Sequence, residues 1–128
     1  MSGRLLRVDF SARGSPKSVS DAIETFARAQ GHVAALVVPW ESTPSMLSMA
    51  VTSVKIDGWA IEHINLGTIT LTADGDGTRV AILGHPIAHD SQAKLTKVFD
   101  QFAHDLRQRL RPAAQSPRVG DPDTEKPW

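Results

Sequence analysis

Residues 46–85 read MLSMAVTSVKIDGWAIEHINLGTITLTADGDGTRVAILGH, and this stretch decides the fold. It holds three apolar, β-branched runs separated by Asp57-Gly58 and by Asp74-Gly75-Asp76-Gly77. An acidic residue followed by glycine between two strand-like runs signals a tight hairpin, because glycine accepts the positive φ that such turns need. Met46–Ile56, Trp59–Thr72 and Thr78–His85 are therefore expected as consecutive antiparallel strands. The middle run changes phase: Trp59 and Ile61, then Ile64 and Leu66, then Ile69 and Leu71. A slip of one residue turns every later side chain to the opposite face. Either bulges near Glu62–His63 and near Gly67 repair the phase, or the run breaks into two strands.

Working outward, Val33–Val38 is a short valine-rich run ended by Pro39, expected as a buried strand, and Trp40–Ser45 is expected as a connecting loop. Before it, Ser15-Pro16 opens a helix with a capping hydroxyl and a proline that fits the first turn. Val19, Ala22, Ile23, Phe26 and Ala27 form its apolar stripe, and Gly31 stops it. At the N-terminal end, Leu6, Val8 and Phe10 alternate with Arg7 and Asp9 as a half-buried strand does. On the C-terminal side, Asp90-Ser91 can cap a long helix whose Leu95, Val98, Phe99, Phe102, Leu106 and Leu110 recur at three- and four-residue steps until Pro112. Residues 112–128 contain four of the eight prolines and almost no large apolar residue before Trp128, so this tail is expected to be disordered. The reading is one α+β domain over 1–111, in the order β-α-β-β-β-β-α. Its sheet is mainly an antiparallel meander, and each helix has one apolar stripe to bury.

Composition narrows the functions. The chain has no cysteine, which removes disulfides, thiolate metal sites and a thiol nucleophile. Fourteen basic residues balance 14 acidic ones, so there is no basic footprint for a nucleic acid. Arg107, Arg109 and Arg111 suit the negative end of the last helix. No apolar run approaches the ~18 residues of a membrane span, and no uninterrupted apolar segment follows the basic N-terminal residues. A soluble, cytoplasmic protein is expected.

Three segments resemble the helix-grip fold of the START/Bet v 1-like superfamily, the polyketide cyclase/dehydrase and lipid-transport family. Val8–Val19 resembles its first strand running into a short helix. Gly67–Val80, with its Gly77-Thr78-Arg79-Val80 step, resembles its late hairpin, and Ala93–Leu110 its long C-terminal helix. The chain resembles an abbreviated member, with fewer strands and no second short helix. The resemblance implies a long helix packed across a curved sheet, and an apolar ligand held between them. It carries over no catalytic residue.

On that basis the expected function is binding of a small hydrophobic molecule, with Trp59, Ile61, Ile69, Leu71, Val80, Ile82, Leu95, Phe99 and Phe102 as lining residues. The same residues would equally serve as a solid core. Trp40, Met46 and Met49 are likewise read as core or pocket. Two other functions compete. One is a homodimeric interaction module whose sheet face is covered by another subunit. The other is a cyclase- or dehydratase-type enzyme using His63 or His85 as acid or base, for which an inward-pointing histidine is required. Glu62-His63 reads more simply as a solvent-facing pair, and His85, His89 and Asp90 as a polar loop with a helix cap. The Asp74–Gly77 turn lacks the ligands of a calcium loop. No phosphate loop, nucleophile elbow or dinucleotide fingerprint is present, and Ser11, Ser15 and Ser53 have no activating motif. No cofactor or metal is expected.

Overall fold

A computed structural model describes residues 6–57, 60–87 and 92–110, with the backbone alone described at 55–57 and 60–62. The order is β1 (Arg7–Arg13), α1 (Pro16–Gln30), β2 (Val33–Val37), β3 (Met46–Asp57), β4 (Ala60–Asp74), β5 (Gly77–Gly84) and α2 (Gln92–Leu110), with a 3-10 turn at Pro39–Glu41. This is the expected β-α-β-β-β-β-α arrangement. The five strands form one antiparallel sheet in the order β1-β5-β4-β3-β2. β1 and β2 thus run parallel to each other at opposite edges, and α1 must carry the chain across the whole sheet. Four strand spacings make about 19 Å, and 15 helical residues span about 22 Å. The helix is as long as the crossing requires.

Local chemistry fixes the ends of α1. The Ser15 hydroxyl accepts a hydrogen bond from the Ser18 N–H at 3.1 Å, and proline occupies the first turn. Gly31, at φ 82°, takes the left-handed conformation and donates its N–H to the Arg28 carbonyl. Val19, Ile23 and Ala27 are buried against the sheet. α2 buries Phe99, Phe102, Ala103 and Leu106 on the same side. The helices meet where Phe26 stacks on Phe102, with centroids 5.8 Å apart, and the Arg109 guanidinium lies 5.2 Å from the Phe26 centroid. The fold is therefore two layers, with both helices on one face.

β4 is a single strand, and the choice between bulges and a break resolves at one place. β3 pairs Val51 with Gly67 and then Thr52 with Asn65, so Leu66 is the extra residue. The bulge expected near Gly67 is present. The one expected near Glu62–His63 is absent, because pairing runs without a break from Thr52–Asn65 to Asp57–Ala60. One inserted residue already turns Leu66 as well as Ile69 and Leu71 into the core. The expected connecting loop after β2 contains the 3-10 turn, held by Ser42 Oγ donating to the Val38 carbonyl at 2.8 Å and accepting from the Ser48 N–H at 3.0 Å. The tail 112–128 and the Asp90-Ser91 cap lie outside the described residues.

Gly67 and Gly84 are cross-strand partners on the core side, directly under Phe99. A Cβ on Gly67 would collide with the Leu83 carbonyl oxygen and sit 2.5 Å from Phe99 Cζ. Gly67→Ala is therefore expected to destabilise the domain by about 2 kcal/mol through overpacking, a fall of roughly 10 °C in Tm. Thermal unfolding followed by circular dichroism measures it, and an unchanged Tm would show that the ring does not rest on this glycine pair.

Candidate functional site

The candidate site is the sheet face that the helices leave uncovered. Strand alternation assigns it. On β1, Val8, Phe10 and Ala12 pack into the core, so Arg7, Asp9, Ser11 and Arg13 point away from it. On β5, Val80 and Ile82 are buried, which leaves Arg79, Ala81 and Leu83 outside. Cross-strand pairing then draws the face in rows. One row runs Arg7, Leu83, Thr68, Ala50, Leu36, and the next Asp9, Ala81, Thr70, Ser48. A third runs Ser11, Arg79, Thr72, Met46. Beyond the first row lie Asn65, Thr52 and Ala34.

The face carries exposed large apolar side chains on β2, β3 and β5. Leu36 is 60% exposed, Leu83 45% and Met46 37%. At its rim the 3-10 turn folds over Ser48, whose hydroxyl reaches Glu41 Oε1 at 3.4 Å, and leaves Trp40 84% exposed. Trp40 is therefore neither core nor pocket lining, against expectation. A proline-led turn followed by polar residues holds it on the surface. Met49, by contrast, is fully buried.

Both candidate histidines also belong to this face. His85 follows β5, and its ring is held on both sides: Nδ1 lies 3.2 Å from Asn65 Nδ2 and Nε2 lies 2.9 Å from Thr68 Oγ1. With the Asn65 amide donating to Nδ1, the ring proton sits on Nε2 and is donated to Thr68. His63 is exposed and reaches Thr52 Oγ1 at 3.5 Å. Neither points into the core, so the inward histidine that acid–base catalysis requires is not supplied by either. Among the described residues no group of three or more His, Asp or Glu side chains is placed to hold a metal.

The nine residues expected to line a ligand pocket divide differently. Ile69, Leu71, Val80, Ile82, Phe99 and Phe102 are buried in the core between sheet and helices, and Leu95 packs against them. Ile61 stands opposite Ile56, in the part of the β3–β4 hairpin that extends past the pairing with β2 and β5. Its side chain, and all of Trp59, lie outside the described residues. Open grooves among the described residues lie along the helical layer and at the β2 edge. One, of about 470 Å³, lies between α1 and Arg109 over Ala22, Phe26 and Ala29. A second borders Val33 and Leu36, and a third borders His32, Val98 and Phe102. Of the seven whose side chains are described, only Phe102 borders any of these. One buried polar atom on the core side, Ser53 Oγ, has no partner among the described residues.

The chain matches no protein-family model and no curated protein. No described helix is long and apolar enough to cross a membrane.

The His85 geometry is directly measurable. Nitrogen chemical shifts of the neutral ring are expected to show the Nε2–H tautomer, and Thr68→Val to shift the population towards Nδ1–H. A wild-type ring already dominated by Nδ1–H would overturn the assigned orientation of Asn65.

Proposed function

We propose that this chain is a homotypic interaction module whose open sheet face packs on the same face of a second copy. One observation carries the reading: Leu36, Met46 and Leu83 lie on that face and Trp40 lies at its rim, and these are the exposed large hydrophobics of the described residues. Scattered apolar residues on a surface need no explanation, but here the exposed large ones gather on one face, interleaved with the threonines of β4. The half-buried Ala34, Ala50 and Ala81 between them leave space into which leucines of a partner can fit.

The size is adequate. Five strands at about 4.8 Å spacing, paired over about eight residues on average at about 3.3 Å each, present roughly 600 Å². Two copies together would bury about 1,200 Å², the lower end of specific interfaces. Such a surface supports a reversible dimer rather than an obligate one.

Binding of an apolar ligand, which the helix-grip resemblance implies, is favoured by a single observation. The unpartnered Ser53 hydroxyl on the core side is the type of polar handle that orients a ligand in an otherwise apolar site.

Native mass spectrometry with light scattering separates the two. The expected result is a dimer without a retained small molecule, with Leu83→Lys and Leu36→Lys each weakening association at least about tenfold while leaving the circular dichroism unchanged. A wild-type monomer at about 100 µM, a concentration that reveals Kd values down to roughly −5.5 kcal/mol of binding, would sink the interaction reading. A retained adduct on that monomer would favour the ligand.

A further inference from the structure

We infer that the second copy docks in one register, with the two-fold axis running across the strands between the Arg7 and Asp9 rows, so that Arg7 of each copy faces Asp9 of the other. This inference rests on the homotypic reading above and specifies its partner geometry.

Charge and side-chain size on this face favour one register. A closed dimer made from one face requires a two-fold axis in the plane of contact. If the axis ran along the strands, β1 of one copy would cover β2 of the other. Arg7 and Asp9 would then lie at the rim over the uncharged Leu36 edge, where no opposite charge meets them and nothing fixes the orientation. With the axis across the strands, β1 covers β1. Its outward positions then read cationic, anionic, neutral and cationic at Arg7, Asp9, Ser11 and Arg13. An axis on the Asp9 row sets Asp9 against Asp9. An axis between Asp9 and Ser11 sets Arg7 against Arg13. An axis on the Ser11 row pairs Asp9 with Arg13, but it stacks Arg79 on Arg79, because Arg79 shares that row. The axis between the Arg7 and Asp9 rows leaves two reciprocal Arg7–Asp9 pairs and no like-charge contact among these residues.

The apolar residues agree with that register. It sets Leu83 of one copy over Ala81 of the other, and Ala81 over Leu83, so a large side chain meets a small one on both sides of the axis. Within one chain Arg7 Nε already lies 3.7 Å from Asp9 Oδ2, with both side chains exposed. In the dimer the four charges would form a rim cluster. Rim pairs of this type add little affinity but set orientation and exclude wrong registers.

A charge-swap cycle tests it. Arg7→Asp and Asp9→Arg are each expected to weaken dimerisation about tenfold or more, and the double variant to return to within roughly threefold of wild type. If the double variant is as weak as the two singles combined while Leu83→Lys still dissociates the dimer, the register is overturned and the face remains. If the wild type does not associate, the homotypic reading falls and the register with it. The chain has no cysteine, so a spin label at Arg13→Cys reports geometry without background. The proposed axis separates the two labels by about 35 Å, whereas an axis on the Ser11 row brings them to about 17 Å. The shorter distance would refute the register even if the charge variants unfolded.

Discussion

Everything in the helical layer depends on one close approach, the Phe99 ring against the backbone of Gly67 and Gly84. The ring rests at this depth because Gly67 lacks a Cβ, with Gly84 beside it easing the fit. Gly67 leaves no room for one, and at Gly84 an added Cβ would sit 3.4 Å from the ring. The bulge beside this pair serves the same end. Inserting Leu66 between Asn65 and Gly67 keeps Gly67 on the core side while the hairpin beyond it reverses phase. Leu66 itself becomes fully buried. A break in the alternation, which sequence pattern alone would count as a defect, therefore places both the seat for Phe99 and an extra core leucine.

With α2 seated there, α1 has a defined groove to fill. It crosses from the β1 edge to the β2 edge, and Phe26 closes the seam against Phe102. Both helices lie on one side because each has a single apolar stripe and the core side is where those stripes can be buried together. The consequence falls on the opposite face, over which the 3-10 turn at Pro39–Glu41 folds only beside Ser48. In an antiparallel sheet with one solvated face, outward residues are usually polar. β1 follows that rule with Arg7, Asp9, Ser11 and Arg13, and β4 follows it with Thr68, Thr70 and Thr72. β2 does not, with Ala34 and Leu36 outward, and β3 does so only in part, since Met46 and Ala50 point outward beside Ser48 and Thr52.

The fold was largely legible because its signals are local. Acidic-glycine turns, a Ser-Pro helix start and three- and four-residue spacings each declare themselves within a few residues, and they produced the correct element order. The bulge at Leu66 was legible as a phase change, but its position relative to Glu62–His63 was not, because register depends on the partner strand. The site was much less legible. Ile69, Leu71, Val80 and Ile82 read equally well as pocket or core, and burial alone distinguishes a cavity wall from a packed interior. Trp40 reads as core or pocket because a large aromatic carries a strong expectation of burial, whereas its position is set by the proline-led turn. The exposed leucines were hidden for a related reason. Leu36 and Leu83 sit within continuous apolar runs, where sequence cannot say which alternate residues face solvent.

The distribution of charge over the open face bears on what covers it. Among the outward residues in the three rows, charges fall on β1 and on Arg79 of β5, while β2 and β3 contribute none. A face evolved only for hydration would gain from charges anywhere, and most from those over exposed leucines. A face that binds a partner needs the reverse: an uncharged centre, and charges displaced to one edge where they stay hydrated and still discriminate orientation. The second arrangement is the one observed. The pattern also protects the β1 edge of the sheet, since an edge strand bearing alternating charges resists indiscriminate pairing with other strands. If the face associates as proposed, β1 confines that association to the face, and its Arg7 and Asp9 are self-complementary when a second copy is turned by a half rotation.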